Sequence, residues 1–119
     1  MNINKFTIKS QEALQQAQQI AQSFGQQQLE NEHIFKGILE VDENVTPFIL
    51  KKLNVNVELF KKVLDSTIQS FPKVSGGDIM FSREAGTTVN EAEIIAKKMN
   101  DEFVSIEHLI LAIFKSKSK

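Results

Sequence analysis

Apolar residues recur at three- and four-residue steps early in the chain. Ala13, Leu14, Ala17, Ile20, Ala21 and Phe24 make one stripe, while Gln11, Gln15, Gln18, Gln19 and Gln22 fill the opposite face. That spacing predicts an amphipathic helix with a solvated glutamine face. Thr7 stands where an N-cap is wanted, because its hydroxyl can accept from a first-turn amide, and Gly25 supplies the stop. A second helix, about residues 31–40, turns Ile34, Phe35, Ile38 and Leu39 inward. Thr46-Pro47 reads as an N-cap and first-turn proline opening a third helix, with Phe48, Ile49, Leu50 and Leu53 toward the core. Asn56 caps a fourth helix through Leu59, Phe60, Val63, Leu64 and Ile68. Phe71-Pro72 ends it, and residues 73–78 form a linker that is softest at Gly76-Gly77. No useful stretch of alternating polarity predicts a β-strand.

The same pattern then returns. A shift of 75 residues lays 6–40 over 81–115 without a gap. Phe6, Ala17, Ile20, Ala21, Glu32, His33 and Ile38 meet Phe81, Ala92, Ile95, Ala96, Glu107, His108 and Ile113 as identities. Thr7 with Ser82, Leu14 with Val89, Phe24 with Met99, Leu29 with Val104 and Leu39 with Phe114 are conservative pairs. Identities at core-like positions and at a Glu-His pair indicate duplication of one helix–loop–helix unit. The second copy supplies two helices, about residues 82–99 and 105–115. The expected fold is all-α: one domain over residues 1–119, built from two tandem helical repeats of four helices plus two. The first repeat covers 6–70, the linker 71–80, and the incomplete second repeat 81–119.

Composition removes several functions. The hydrophobic fraction is 41% and the charged fraction 24%, ordinary globular usage with disorder expected only at the Gly-Gly linker and the tail. With no cysteine, disulfides, Cys-ligated zinc and thiol catalysis are excluded. A net charge of −1, with Arg83 the only arginine, argues against nucleic acid, which needs clustered cations. The start, Met1 to Lys5, lacks a signal peptide's apolar core, and no apolar run is long enough to span a bilayer, so a soluble cytoplasmic protein is expected. No phosphate-binding glycine loop, His-Glu-x-x-His or Ser-His-Asp arrangement is present, so neither an enzyme nor a nucleotide or metal cofactor is expected. His33 and His108 hold equivalent places, each after a glutamate. They read as structural histidines that bond locally rather than as metal ligands. Carboxylates near helix starts, such as Glu30, Glu32 and Glu107, read first as dipole partners.

Phe6-Thr7 with Gln11 and Ala13-Leu14, then Glu32-His33-Ile34, repeated from Phe81-Ser82 to Glu107-His108-Leu109, resembles the double repeat that opens Clp-family AAA+ unfoldases. The stretch Phe71-Pro72-Lys73-Val74-Ser75-Gly76-Gly77 is similar to the linker of the ClpB-type disaggregases within that family. The resemblance covers essentially the whole chain. It implies a pseudo-twofold helical bundle that receives unfolded or aggregated polypeptide for a ring of AAA+ subunits. Peptide would lie in an apolar groove with a polar rim, and ATP would belong to the ring alone. Carried over by motif, the rim residues are Thr7, Asp101 and Glu107, and the apolar residues Val89, Ile95 and Leu109. The alternative implied by the ClpC branch is an adaptor- or tag-docking domain, with Glu32 and Glu107 as symmetric acidic sites for a cationic group such as a modified arginine. The resemblance also implies two further helices in the second repeat, beyond where this chain stops. Ile95, Met99, Ile110 and Phe114 are then expected to lack cover, with self-association as the remedy.

Overall fold

The computed structural model describes residues 2–74 and 76–117, so Ser75 of the linker motif, Met1 and the last two residues of the tail lie outside the described residues. Six α-helices follow one another: α1 Ile8–Ser23, α2 Asn31–Val41, α3 Val45–Lys52, α4 Val57–Gln69, α5 Arg83–Lys98 and α6 Ile106–Lys117. Their order bears out an all-helical bundle of four helices plus two. Thr7 and Ser82 cap α1 and α5 in the same way, each hydroxyl accepting an amide three residues on, from Ser10 at 3.1 Å and Ala85 at 3.0 Å. Asn56 caps α4 through Leu59, as its position predicted.

Two short extended pieces escaped the sequence reading, because a two-residue strand has no alternation to detect. β1 (Gln28–Leu29) pairs in parallel with β2 (Met80–Phe81), Leu29 lying opposite Phe81. A single bridge pairs Phe6 with Val104. Under the 75-residue shift, Phe6 becomes Phe81 and Leu29 becomes Val104. The two pairings are therefore images of each other, and each repeat lends its entry segment to the other's interhelical loop. The Thr7 amide donates to the Val104 carbonyl at 2.9 Å and the Ser82 amide to that of Leu29 at 3.0 Å. This reciprocal exchange is the pseudo-twofold bundle in backbone terms.

The core lies between α1 and α2 of one repeat and α5 and α6 of the other, with Phe6, Ile34, Ile38, Leu109 and Ile113 almost wholly enclosed. The closest approach is at Gly37 of α2, where a Cβ would run into the Ala13 carbonyl oxygen and stand 3.1 Å from the Ala17 nitrogen. Its repeat mate is Ala112, so the second helix pair leaves room for a methyl group.

The third and fourth helices differ from expectation. α3 begins at Val45, two residues earlier than a Thr46 cap would place it. Asn44 holds the N-cap position without a side-chain bond, and the first turn is satisfied by Asp42, 3% exposed, whose carboxylate accepts the amides of Asn44, Val45 and Thr46 and the Thr46 hydroxyl. Burial raises the Asp42 carboxyl, but those four hydrogen bonds outweigh it and hold the group below the usual range. Of the expected inward residues, Leu50, Leu64 and Ile68 are buried, whereas Phe48, Leu53, Leu59 and Val63 face outward. α4 covers α2 with one narrow edge, pinned by Lys36 to Asp65 at 2.6 Å. In the second repeat Ile110 is buried and Ile95 partly so, contrary to the expectation that both lie bare. Met99 and Phe114 are exposed, together with Leu111.

Gly37→Ala is expected to destabilise the domain by about 1–3 kcal/mol, since backbone atoms cannot yield as a side chain does. Gly86→Ala, in α5 with nothing near its missing Cβ, should stabilise by roughly 0.5–1 kcal/mol. Urea unfolding of both variants checks the pair. Equal effects would contradict the close approach.

Candidate functional site

The rim residues sit where the two repeats exchange backbone. α5 ends at Asn100 in the left-handed conformation (φ 60°), as α1 ends at Gly25 (φ 69°). That turn sends the next amide back into the helix: Asp101 to the Ala96 carbonyl and Gln26 to that of Ala21, both at 2.9 Å. The same turn sets the Asp101 and Gln26 side chains beside the histidine of the following helix.

The histidines build one arrangement twice. His33 Nδ1 accepts the Glu30 amide at 2.8 Å and His108 Nδ1 the Ser105 amide at 2.9 Å. A backbone amide only donates, so each ring carries its proton on Nε2. That proton goes to Gln26 Oε1 at 2.7 Å in the first repeat and to Asp101 Oδ2 at 2.8 Å in the second. The outer partners differ. Gln26 is buried and its amide donates to the Ile68 carbonyl of α4 at 2.6 Å. Among the described residues no helix covers Asp101 as α4 covers Gln26; its side chain is 48% exposed, and among those residues only Oδ2 takes a hydrogen bond. What the fold requires here is a hydrogen-bond acceptor, and only the second copy makes it a carboxylate at the surface.

Thr7 is the α1 cap, half-buried, its hydroxyl also donating to Ser10 Oγ at 2.9 Å. Its amide bond to Val104 joins it to the loop that carries Asp101. Glu107 lies exposed in the first turn of α6. The three polar residues thus gather around the junction of α1 with the α5–α6 loop. The apolar three do not join them at the surface. Val89 and Leu109 are sealed in the core, because they lie on the faces by which α5 and α6 pack into the bundle, and Ile95 is only partly exposed. The apolar surface beside Asp101 comes instead from Met99 and Phe103, 54% and 46% exposed. Phe103 was not singled out from the sequence. Its signal was comparison with its repeat mate, Gln28: a phenylalanine stands where the first copy is polar.

The two acidic positions are equivalent in the chain but not in their surroundings. Glu32 lines a cleft of about 690 Å³ with Gln28, Glu30, Asn31, Phe71, Arg83 and Glu84. Asn31 donates to Ser116 Oγ at 3.2 Å, and its buried Oδ1 has no hydrogen-bond partner. Around Glu107 the mates of Arg83 and Glu84 are Ile8 and Lys9, so the second carboxylate faces a different chemical setting. Among the described residues no cluster of three His, Asp or Glu is placed to hold a metal ion, and no helix is long and apolar enough to cross a membrane.

Residues 5–119 match the Clp repeat (R) N-terminal domain, and the chain belongs to that family. It is 50% identical over 118 residues to the chaperone protein ClpB of Bacteroides thetaiotaomicron, covering 99% of this chain and 14% of that protein. It is 42% identical over 113 residues to ClpB of Porphyromonas gingivalis, covering 95% and 13%. The chain therefore spans a small part of the length of these relatives. The Hsp104 N-terminal domain from Candida albicans has the same fold, with a TM-score of 0.87 at 19% identity over 96% of this chain and 76% of that one. The N-terminal domain of the ClpV1 ATPase from E. coli gives 0.86 at 15% identity, over 95% and 69%.

One pH response follows from the histidine geometry. Burial pushes the His33 ring below the ordinary value near 6.5, against the opposing pull of Glu32. The unfolded chain then binds the proton more readily than the folded one, so stability falls as pH drops below about 6.5 and levels off once the lower folded value is passed. The slope from this one group cannot exceed about 1.4 kcal/mol per pH unit. Denaturant unfolding between neutral and mildly acidic pH, with NMR titration of the ring, measures it. A His33 ring that titrates at or above the ordinary value would contradict the account.

Proposed function

We propose that this domain is a receiving module of an ATP-dependent, ClpB-type disaggregase in the cytoplasm. It holds unfolded or aggregated polypeptide weakly at the face of the α5–α6 loop and has no chemistry of its own. ATP binding and hydrolysis belong to the ring of AAA+ subunits. The observation that carries the reading is the difference between the two histidine sites. The second copy carries a half-exposed carboxylate, one oxygen of which has no partner among the described residues, in the same loop region as the exposed Met99 and Phe103. A free carboxylate oxygen can accept a peptide amide, while the neighbouring apolar side chains take up hydrophobic residues. Glu107 and Thr7 border the same junction. With Val89 and Leu109 in the core, the apolar contact falls to Met99, Phe103 and the exposed part of Ile95.

A flexible peptide loses much of its contact energy to ordering, so the affinity should be micromolar or weaker, about −8 kcal/mol or less favourable. NMR titration with an unfolded model peptide should move signals of Ile95, Met99, Asp101, Phe103 and Glu107. Asp101→Asn keeps an acceptor for His108 and should retain the melting temperature while weakening the peptide. Asp101→Ala leaves the His108 N–H without its protein partner and should cost about 0.5–1 kcal/mol of stability besides. If Asp101→Asn binds as well as the parent, the carboxylate has no part in reception.

A second reading has one observation in its favour. The cleft at Glu32 sets three carboxylates against the single cation Arg83, with the Asn31 oxygen unpartnered among the described residues, an excess of acceptors suited to a cationic group such as a modified arginine on a tag or adaptor. Binding that collapses with added salt and maps to Glu30, Glu32 and Glu84 would favour docking over reception of apolar segments.

A further inference from the structure

A groove of about 520 Å³, none of whose lining residues belongs to the α5–α6 loop, runs between the N-terminal segment, α1 and the linker strand β2. That is within the size of ordinary ligand clefts, roughly 300–1,000 Å³. Leu14, Leu29, Ile79 and Phe81 line it, and Ile3 and Met80 stand at its mouth, 41% and 70% exposed. The other wall is Gln11, Gln15 and Gln18, which share one face of α1.

No lining residue is charged, in a chain where 24% of residues are. A lysine or carboxylate seated here would lose water and find no counter-charge. The Gln11 amide is committed to the carbonyls of Ile3 and Phe6 at 3.1 and 3.0 Å, which anchors the N-terminal segment as one side of the groove. Gln15 and Gln18 are exposed, and their side chains make no hydrogen bond among the described residues. Each offers one carbonyl acceptor and an amide donor without charge, the same pair of groups that a peptide unit presents.

The twofold image of the groove is different in kind. Gln11, Gln15 and Gln18 become Gly86, Asn90 and Glu93; Ile3 and Met80 become Asp78 and Lys5; and the exposed Phe81 becomes Phe6, which is 2% exposed. A neutral amide wall over an apolar floor is thus a property of this half alone. Keeping that half free of charge has no use in the packing of α1, whose outer face tolerates any polar side chain.

We propose that this groove is a second polypeptide-binding site, selective for extended, uncharged segments, with apolar side chains on the floor and peptide groups against Gln15 and Gln18. The proposal rests on the reading of the domain as a polypeptide receiver and gives it a second face with its own specificity.

The test uses a fluorescein-labelled synthetic peptide of Leu, Val, Ser, Thr and Asn, together with versions carrying two Lys or two Glu. Anisotropy should give micromolar binding of the neutral peptide, unchanged between about 50 and 500 mM salt, and binding of both charged versions weaker by about tenfold or more. Methyl NMR should show shifts at Ile3, Leu29, Ile79 and Met80. Met80→Glu and Gln18→Glu should each weaken the neutral peptide about tenfold, while Glu43→Gln, on the α2–α3 turn, leaves it unchanged. Circular dichroism establishes that each variant is folded; should Met80→Glu unfold the chain, Gln18→Glu alone decides. Unchanged affinity in a folded groove variant, or shifts confined to other faces, overturns the proposal. Shifts only at Asp101, Met99 and Phe103 would leave the receiving role standing without this groove. Shifts only in the groove would retain it and remove the Asp101 face.

Discussion

Two extended segments, each crossing from one repeat into the loop of the other, hold this domain together. Phe6 cannot be buried beside Val104 unless the amides and carbonyls around both find partners, since a buried amide left unpaired costs about 1–3 kcal/mol. Those partners belong to the other repeat. The same holds for Leu29 and Phe81. Neither repeat closes its own entry strand, so the duplication is obligatory for the fold and not an accretion of similar parts. The caps follow from it: Thr7 and Ser82 begin their helices one residue after the pairing ends, which fixes where α1 and α5 start and which faces they turn inward.

The exchange also decides where chemistry can appear. Each interhelical loop is gripped by the opposite repeat and ends in a histidine locked by a backbone amide. The residue that accepts the histidine's Nε2 proton is set by a left-handed turn, Gly25 in one copy and Asn100 in the other. This scaffold is indifferent to whether that receiver is charged. In the first copy α4 covers it and supplies the Ile68 carbonyl, so an amide, which both donates and accepts, is the residue that satisfies every group. In the second copy nothing described covers it, and a carboxylate stays hydrated at the surface. One buried frame therefore supports two outer surfaces of opposite character.

A similar asymmetry separates the remaining faces. The cleft at Glu32 carries three carboxylates against one arginine, while the groove along Gln15 and Gln18 is lined by uncharged residues. Val63 of α4 and Phe114 line an apolar pocket that adjoins Asn31 and Glu32, and further exposed apolar residues stand at Phe48, Leu59, Met99, Phe103 and Leu111. A domain with ordinary composition and a net charge of −1 thus presents several surfaces that would suit different partners.

The repeat, the helices and their caps at Thr7, Ser82 and Asn56 were legible in the sequence, because periodicity and capping are local and a 75-residue self-match needs no structure. The structural reading of both histidines was legible too, from their equivalent places. Burial was not. Periodicity marks the apolar face of a helix but not the width of the neighbour that will cover it, so Phe48, Leu59 and Val63 were expected inside and lie outside. Val89 and Leu109, matched to a groove by motif, lie beneath the surface because their helices turn those faces to the bundle. The Asp42 cap and the exchanged strands depend on contacts spanning too few residues to leave a pattern. Sequence determined the helices and their duplication through short-range geometry. Tertiary structure alone decided which apolar residues stay wet and which receiver beside each histidine meets solvent, because both depend on what the other repeat places against them.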